Sequence, residues 1–422
     1  MGDWQSVGGE AGPDGPRHPP AERAFSRFTL ASSPPDGSLK TPRGLTPTLQ
    51  PAGAHVLRIL RIPLIAAATI ALTGVPACST KKSDKIKIGV VTNCTDPFWD
   101  LCEAGARKAE KDFDVEVLFR QPEKLDASVQ MPIIESFLQQ NVKGLAVSVI
   151  NPKGQKKDIT RYAAEVPLIT MDNDADPDTG RLCYVGVDNV EAGKAVGRLV
   201  KKALPPEKGG VIAMFIGSDI SANGGARIKG VLDELATPEA NGIDAVRTLN
   251  GKETKGKLYG NYFLVDGEAK TDGGPNNNPQ QYPITMLERL TGVPDVCMIG
   301  LYAYNPPAIL TAVRANNLVG KVKIVGFDEN PVTLRAIAAG EIEGTVVQDP
   351  YNYGYKSVEI LAAEARGDKS KRLTKPLPYQ VVTREGGPDQ EINGLSIKFP
   401  KAMDYLEIVK SQMAAVGKAV KD

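Results

Sequence analysis

Carboxylates, amides, one guanidinium and two large aromatics each stand just past a short apolar run. They are Asp96, Phe98 and Trp99, then Asp172 and Asn173, then Arg227, then Asn305, Asp328 and Gln348. An ionised carboxylate only accepts hydrogen bonds, a guanidinium only donates them, and an amide does both. Flat aromatic faces pack on the apolar faces of a sugar ring. That mixture suits recognition of a polyol. Taken singly, Asp96, Asp172 and Asp328 read equally well as helix caps or turn residues, and Arg227 as a solvated helix residue. The joint pattern favours a site, because independent caps need not gather at one place.

Covalent chemistry has little to work with. The two histidines, His18 and His55, both precede a candidate export cleavage site. A mature chain without histidine has no His-dependent triad and no His-ligated zinc. The five cysteines, Cys78, Cys94, Cys102, Cys183 and Cys297, form no CxxC pair, so neither a metal cluster nor any other cofactor is expected. Gly209-Gly210 and Gly224-Gly225 spell neither a phosphate loop nor a dinucleotide fingerprint. The formal net charge of +1 favours neither nucleic acid nor an anionic membrane surface.

The elements that must position these groups follow an alternating plan. Apolar strand-like runs at 86–91, 115–119, 144–149 and 167–171 are separated by amphipathic stretches at 98–111, 132–140 and 156–164. After Asp188 the pattern restarts, with strands at 210–217, 296–301, 322–327 and 344–348 among further helical stretches. β-branched runs separated by helices predict parallel sheets covered on both faces, in two doubly wound halves. In such sheets ligands bind beyond the carboxyl ends of the strands, which is where the polar groups fall. Residues 252–283 are rich in Gly, Asn and Pro and read as an insertion or extended loop. Spacing does not establish a disulfide, and the four cysteines after Cys78 are read as buried thiols.

The N-terminus reads as an address. Residues 1–55 are rich in Gly, Pro and Ser and predict disorder. Residues 56–78 then combine Arg58 and Arg61, an apolar run, and small residues ending at Cys78, which is the pattern of a lipoprotein signal peptide. The apolar run is shorter than the roughly 20 residues that span a bilayer. Cys78 is the expected lipid attachment point, and residues 79–84 a polar tether. With no Met between Met1 and Met131, a start at Val56 would give an ordinary signal peptide.

From about Lys85 to Lys375 the chain resembles the periplasmic ribose-binding proteins, two-lobed sugar receptors of ABC transporters. Their Asn-Pro-Phe-Phe-type turn is matched by Asp96-Pro97-Phe98-Trp99. Their Val-Ile-Thr-Leu-Asp-Arg segment is matched by Leu168 to Asn173, with Asn173 in place of a sugar-contacting Arg. Arg227-Ile-Lys-Gly230 fits the Arg-x-x-Gly pattern, Asn305-Pro306 the Asn-Asp pair with the Asp lost, Val325-Gly-Phe-Asp328 is intact, and Gln348 matches the closing Gln. The resemblance implies two α/β lobes of doubly wound parallel sheet joined by a three-crossing hinge near Val187, Asp349 and Leu377, closing around a ligand. It implies an N-terminal lobe of residues 85–187 plus 349–377 and a C-terminal lobe of 188–348 plus 378–422. The implied protein is a periplasmic, lipid-anchored monomer that delivers a small sugar-like ligand to an ABC permease and performs no catalysis. A receptor presenting that ligand to a membrane signalling protein would look the same in sequence. A sugar-responsive repressor would need a helix-turn-helix ahead of the first lobe, and residues 1–84 show none.

Overall fold

The computed structural model describes residues 85–420, and these form one compact unit. The export signal, Cys78 and the tether lie outside the described residues. The first sheet is wholly parallel. It is built from β1 (Lys87–Val91), α1 (Pro97–Asp112), β2 (Glu116–Arg120), α2 (Ala127–Gln139), β3 (Leu145–Val147), α3 (Lys156–Glu165), β4 (Leu168–Met171) and β5 (Tyr184–Val185). Its strand order is β2-β1-β3-β4-β5. Period-two alternation sends Ile88 and Val90 into the core under α1, and Val91 into the opposite core with Ile134, Phe137 and Ile159. Both faces are therefore covered, which is why β1 reads as a continuous apolar run. Helix α2 starts five residues before the Pro132 that sequence suggested, because Asp126 caps it by accepting from Ser128 N at 2.8 Å.

The second sheet takes up the chain with α4 (Asn189–Ala203), β6 (Gly210–Ile216), α5 (Ala222–Leu235), β7 (Asn241–Leu249), β8 (Lys252–Tyr259), β9 (Tyr262–Val265) and β10 (Lys270–Thr271). Then follow α6 (Gln281–Leu290), β11 (Val296–Gly300), α7 (Asn305–Ala315), β12 (Val322–Phe327), α8 (Pro331–Ala339) and β13 (Gly344–Val347). The parallel core runs β9-β6-β11-β12-β13. Helix α9 (Pro350–Glu364) returns to pack on α1 and on β1, β3 and β4 of the first sheet. β14 (Gln380–Val382) then adds antiparallel to β13 of the second. The chain thus passes between the sheets three times, and two passages are joined by a parallel bridge between Val187 and Leu377. A hairpin of β15 (Gly387–Ile392) and β16 (Leu395–Phe399) and a last helix, α10 (Ala402–Ala414), complete the chain.

Residues 252–283 correct the sequence reading. Residues 252–265 are not a loop: they form β8 and β9, which with β7 make an antiparallel meander on the edge of the second sheet, while 272–280 is irregular as expected. Asn250 and Gly251 both take positive φ (48° and 72°) at the β7–β8 turn, which is the two-residue hairpin geometry that Asn-Gly favours. Two-sided exposure hid the strands, since β8 buries only Thr254, Gly256 and Tyr259. The four described cysteines after Cys78 are buried free thiols.

One close approach sets the position of α5. A Cβ on Gly230 would lie 2.1 Å from Val190 O, and one on Gly193 would lie 2.4 Å from Arg227 O. Only glycine on both helices lets α4 and α5 touch backbone to backbone. Gly230→Ala is expected to destabilise the protein by about 1–3 kcal/mol in urea unfolding, as an overpacked contact does. It should also weaken ligand binding by displacing α5; a variant with unchanged midpoint and affinity would contradict this packing role.

Candidate functional site

The carboxyl ends of the two sheets face each other across a cleft. Asp96, Phe98, Trp99, Asp172, Arg227 and Asp328 line one cavity there, together with Asn93, Asn223, Pro275 and Tyr302. Asp172 follows β4 and Asp328 follows β12, and each takes a positive φ (58° and 67°). The backbone N–H of each still extends the ladder, to Val185 O at 3.0 Å and to Val346 O at 2.7 Å. The kink turns each carboxylate off the strand and into the cleft. Asp96 caps α1 through Phe98 N at 2.9 Å. In the same turn the Phe98 and Trp99 rings meet edge to face, centroids 4.9 Å apart. Trp99 Nε1 donates to Asn93 Oδ1 at 3.0 Å, which satisfies the indole and fixes its plane.

Arg227 is 1% exposed, so the solvated-helix alternative does not hold. Its Nε donates to Asn189 Oδ1 at 2.9 Å and its Nη1 to Leu301 O at 2.8 Å. The guanidinium lies over the Phe327 ring, 3.9 Å from its centroid. Nη2 sits 3.6 Å from Asp172 Oδ1 and has no hydrogen-bond partner. Asp172 comes from the first lobe and Arg227 from the second, so the ion pair spans the cleft. Asn223 bridges the same gap, donating through Nδ2 to both Asp172 oxygens at 3.2 Å.

Three sequence-predicted residues do not line the cavity, and the structure corrects their placement. Each supports a residue that does. Asn173 Oδ1 accepts from Asn223 N at 2.9 Å. Gln348 Nε2 donates to Asp328 Oδ1 at 2.6 Å. Asn305 Oδ1 accepts from Tyr302 N at 3.0 Å, and its Nδ2 donates to Asp272 Oδ2 at 2.9 Å. Position after a strand end thus located all three near the cleft, but not the direction of the side chain.

The residues that sequence reasoning missed come from stretches read as loops. Asn223 lies in the first turn of α5, whose N-cap is Ser221. Its Oδ1 accepts from Tyr302 OH at 2.9 Å, and Ser221 Oγ lies 2.7 Å from the same hydroxyl. The 252–283 segment reaches the cleft through Pro275, and Asn276 Nδ2 donates across it to Glu123 O at 2.8 Å. Asp272 anchors that segment by accepting from Tyr304 OH at 2.7 Å.

The charge balance is unusual. Burial raises Asp172 and Asp328, with the Arg227 guanidinium opposing the shift in both. Burial also pushes Asp96 up to about 6, opposed by the Phe98 N–H. Two carboxylates therefore face one guanidinium with a spare donor, and a third, Asp96, lines the same cavity. Among the described residues no cluster of His, Cys, Asp and Glu is arranged to hold a metal ion. The arrangement can accept several hydroxyl protons and donate one strong charge-assisted bond, against an aromatic wall.

Relatives share this architecture. The chain is 26% identical over 326 residues to the ribose import binding protein RbsB of Salmonella typhimurium, covering 75% of this chain and 96% of that protein. It is 22% identical over 301 residues to the D-allose-binding periplasmic protein of Escherichia coli, covering 69% and 88%. Among solved structures it is similar to an ABC transporter solute-binding protein of Burkholderia graminis in complex with D-arabinose. That likeness has 25% identity, a TM-score of 0.61, and covers 72% of this chain and 97% of that one. Residues 88–369 match the periplasmic binding protein domain, and the chain belongs to that family.

Proposed function

We propose that the protein is the substrate-binding component of an ABC-type sugar importer, holding a small monosaccharide-like ligand between its lobes without transforming it. One observation carries this reading: Arg227 Nη2 is buried without a hydrogen-bond partner in a cleft lined by three carboxylates and four aromatics. A buried donor of that kind is costly unless something bonds to it, and a sugar hydroxyl oxygen is a suitable acceptor. The same ligand's hydroxyls donate hydrogen bonds to Asp96, Asp172 and Asp328, and its ring faces Phe98 and Trp99. The relatives' names, ribose import and D-allose binding, support this ligand class. Export, lipid attachment through Cys78, action as a monomer and docking of the closed lobes on a permease belong to the same reading.

A thermal-unfolding screen of pentoses, hexoses and polyols tests it. A ligand at a hundred times its dissociation constant stabilises by about 2.7 kcal/mol, so one sugar should stand clear of the panel. A flat response would contradict the reading. Asp172→Asn keeps the side-chain shape and removes the charge. Calorimetric titration of the responding sugar should show binding weakened by about 10- to 100-fold. Unchanged affinity would remove Asp172 from ligand recognition. Cys78→Ser should move the protein from the membrane fraction to the soluble exported fraction, and unchanged fractionation would exclude the lipid anchor.

Closure should also depend on pH. The cleft carboxylates hold protons more tightly in the closed, empty state than they would in water. A state that binds more protons is favoured at low pH and loses favour as pH rises through the raised pKa, here near the value of about 6 for Asp96. The ligand-free protein is therefore expected to open between about pH 4 and about pH 7. Small-angle scattering should show its radius of gyration rising over that range, and saturating sugar should abolish the rise. A pH-independent radius would contradict the assignment.

A further inference from the structure

A second cavity, of about 340 Å³, adjoins the sugar cleft. Phe98 and Ala303 line both, so the two spaces share a wall at the aromatic end of the site. The rest of the second cavity is mainly apolar, with Leu101 from α1 on one side and Val409 and Met413 from α10 on the other. Helix α10 lies beyond residue 369, where the family match ends. The chain just after it is pinned to the first lobe, Lys418 Nζ meeting Asp100 Oδ1 at 2.6 Å and Glu103 Oε2 at 3.3 Å. Helix α10 thus encloses the space from the second lobe while the chain after it is tied to the first. Asp100, Glu329 and Asn330 interrupt the apolar lining. Glu329 is 2% exposed, and its Oε1 has no hydrogen-bond partner.

We infer that this cavity is a second compartment of the ligand site, which receives an apolar substituent carried on the sugar. The ligand class is then a glycoside or similarly substituted sugar, not a bare monosaccharide. The sugar ring occupies the carboxylate-lined cleft, the substituent passes Phe98 into the apolar space, and Glu329 Oε1 pairs with a polar atom at the junction. The inference rests on the sugar-binding reading and extends it. An apolar space of this size gives a bound ring or short alkyl chain burial that the free sugar cannot use.

The test is a calorimetric comparison on the full chain of D-ribose, D-allose, D-arabinose and D-galactose with the methyl and phenyl glycosides of each, in both anomeric forms. At least one phenyl glycoside is expected to bind about tenfold or more tightly than its parent sugar. Val409→Trp and, separately, Met413→Trp fill the compartment and should each bring that ratio down to about one. If free sugars bind and no glycoside gains affinity, the second compartment is overturned while the sugar-binding reading stands. A gain that survives both substitutions also overturns it. If neither sugars nor glycosides bind, both readings fall together.

Discussion

A guanidinium taken out of water must be compensated by partners that stay with it, and Arg227 is compensated by groups from both lobes. Leu301 O, Asn189 Oδ1 and the Phe327 ring hold it within the second lobe, while Asp172 approaches from the first. The first set is permanent, because it belongs to the same lobe and to the α4–α5 contact that glycines make possible. The pair with Asp172 joins residues of different lobes. At 3.6 Å with a spare donor on Nη2, that pair is incomplete in the closed form. Removing one partner of a buried pair is far more costly than never burying it. Closure without a ligand therefore buries charges that are only partly matched, and a polyol with hydroxyls at the right places supplies the rest. Selectivity follows from the same physics, since a ligand lacking one hydroxyl leaves a buried group unpaired.

The hinge is wired to this site by hydrogen bonds. Val187 N, in the first passage between the sheets, donates to Tyr353 OH at 3.2 Å. That hydroxyl donates to Gln348 Oε1 at 3.2 Å, and Gln348 Nε2 donates to Asp328 in the cleft. Leu377 N bonds to Gly186 O at 2.8 Å, tying the third passage to the first. A single chain of hydrogen bonds thus runs from the crossings to a carboxylate that lines the cleft. Gln348 has its place here: it does not touch the cavity, and it fixes the carboxylate that does.

Much of the fold was legible because parallel strands buried on both faces read as unbroken apolar runs. β1, β4, β6, β11, β12 and β13 all announce themselves in this way. The carboxyl-end rule then placed Asp96, Asp172, Asp328 and the two aromatics without reference to any side-chain coordinate. What remained hidden has physical causes. β8 exposes much of both faces, so its alternation fades, although the Asn250-Gly251 turn marked the hairpin. Asn223 sits in Ala222-Asn-Gly-Gly225, a stretch whose poor helix formers mask a helix start capped by Ser221. Asn173 and Asn305 stand at the right depth, but their direction depends on Asn223 and Asp272, residues 50 and 33 positions away. No local pattern reports a partner at that separation.

The central claim is that Arg227 Nη2 and the carboxylates around it await a sugar's hydroxyls. A crystal structure of the protein with its tightest-binding sugar tests this most directly. The account predicts a closed cleft in which a ligand oxygen lies about 2.9 Å from Arg227 Nη2, with other hydroxyls donating to Asp172 and Asp328. A sugar bound elsewhere, or bound here with Nη2 still without a partner, would contradict it.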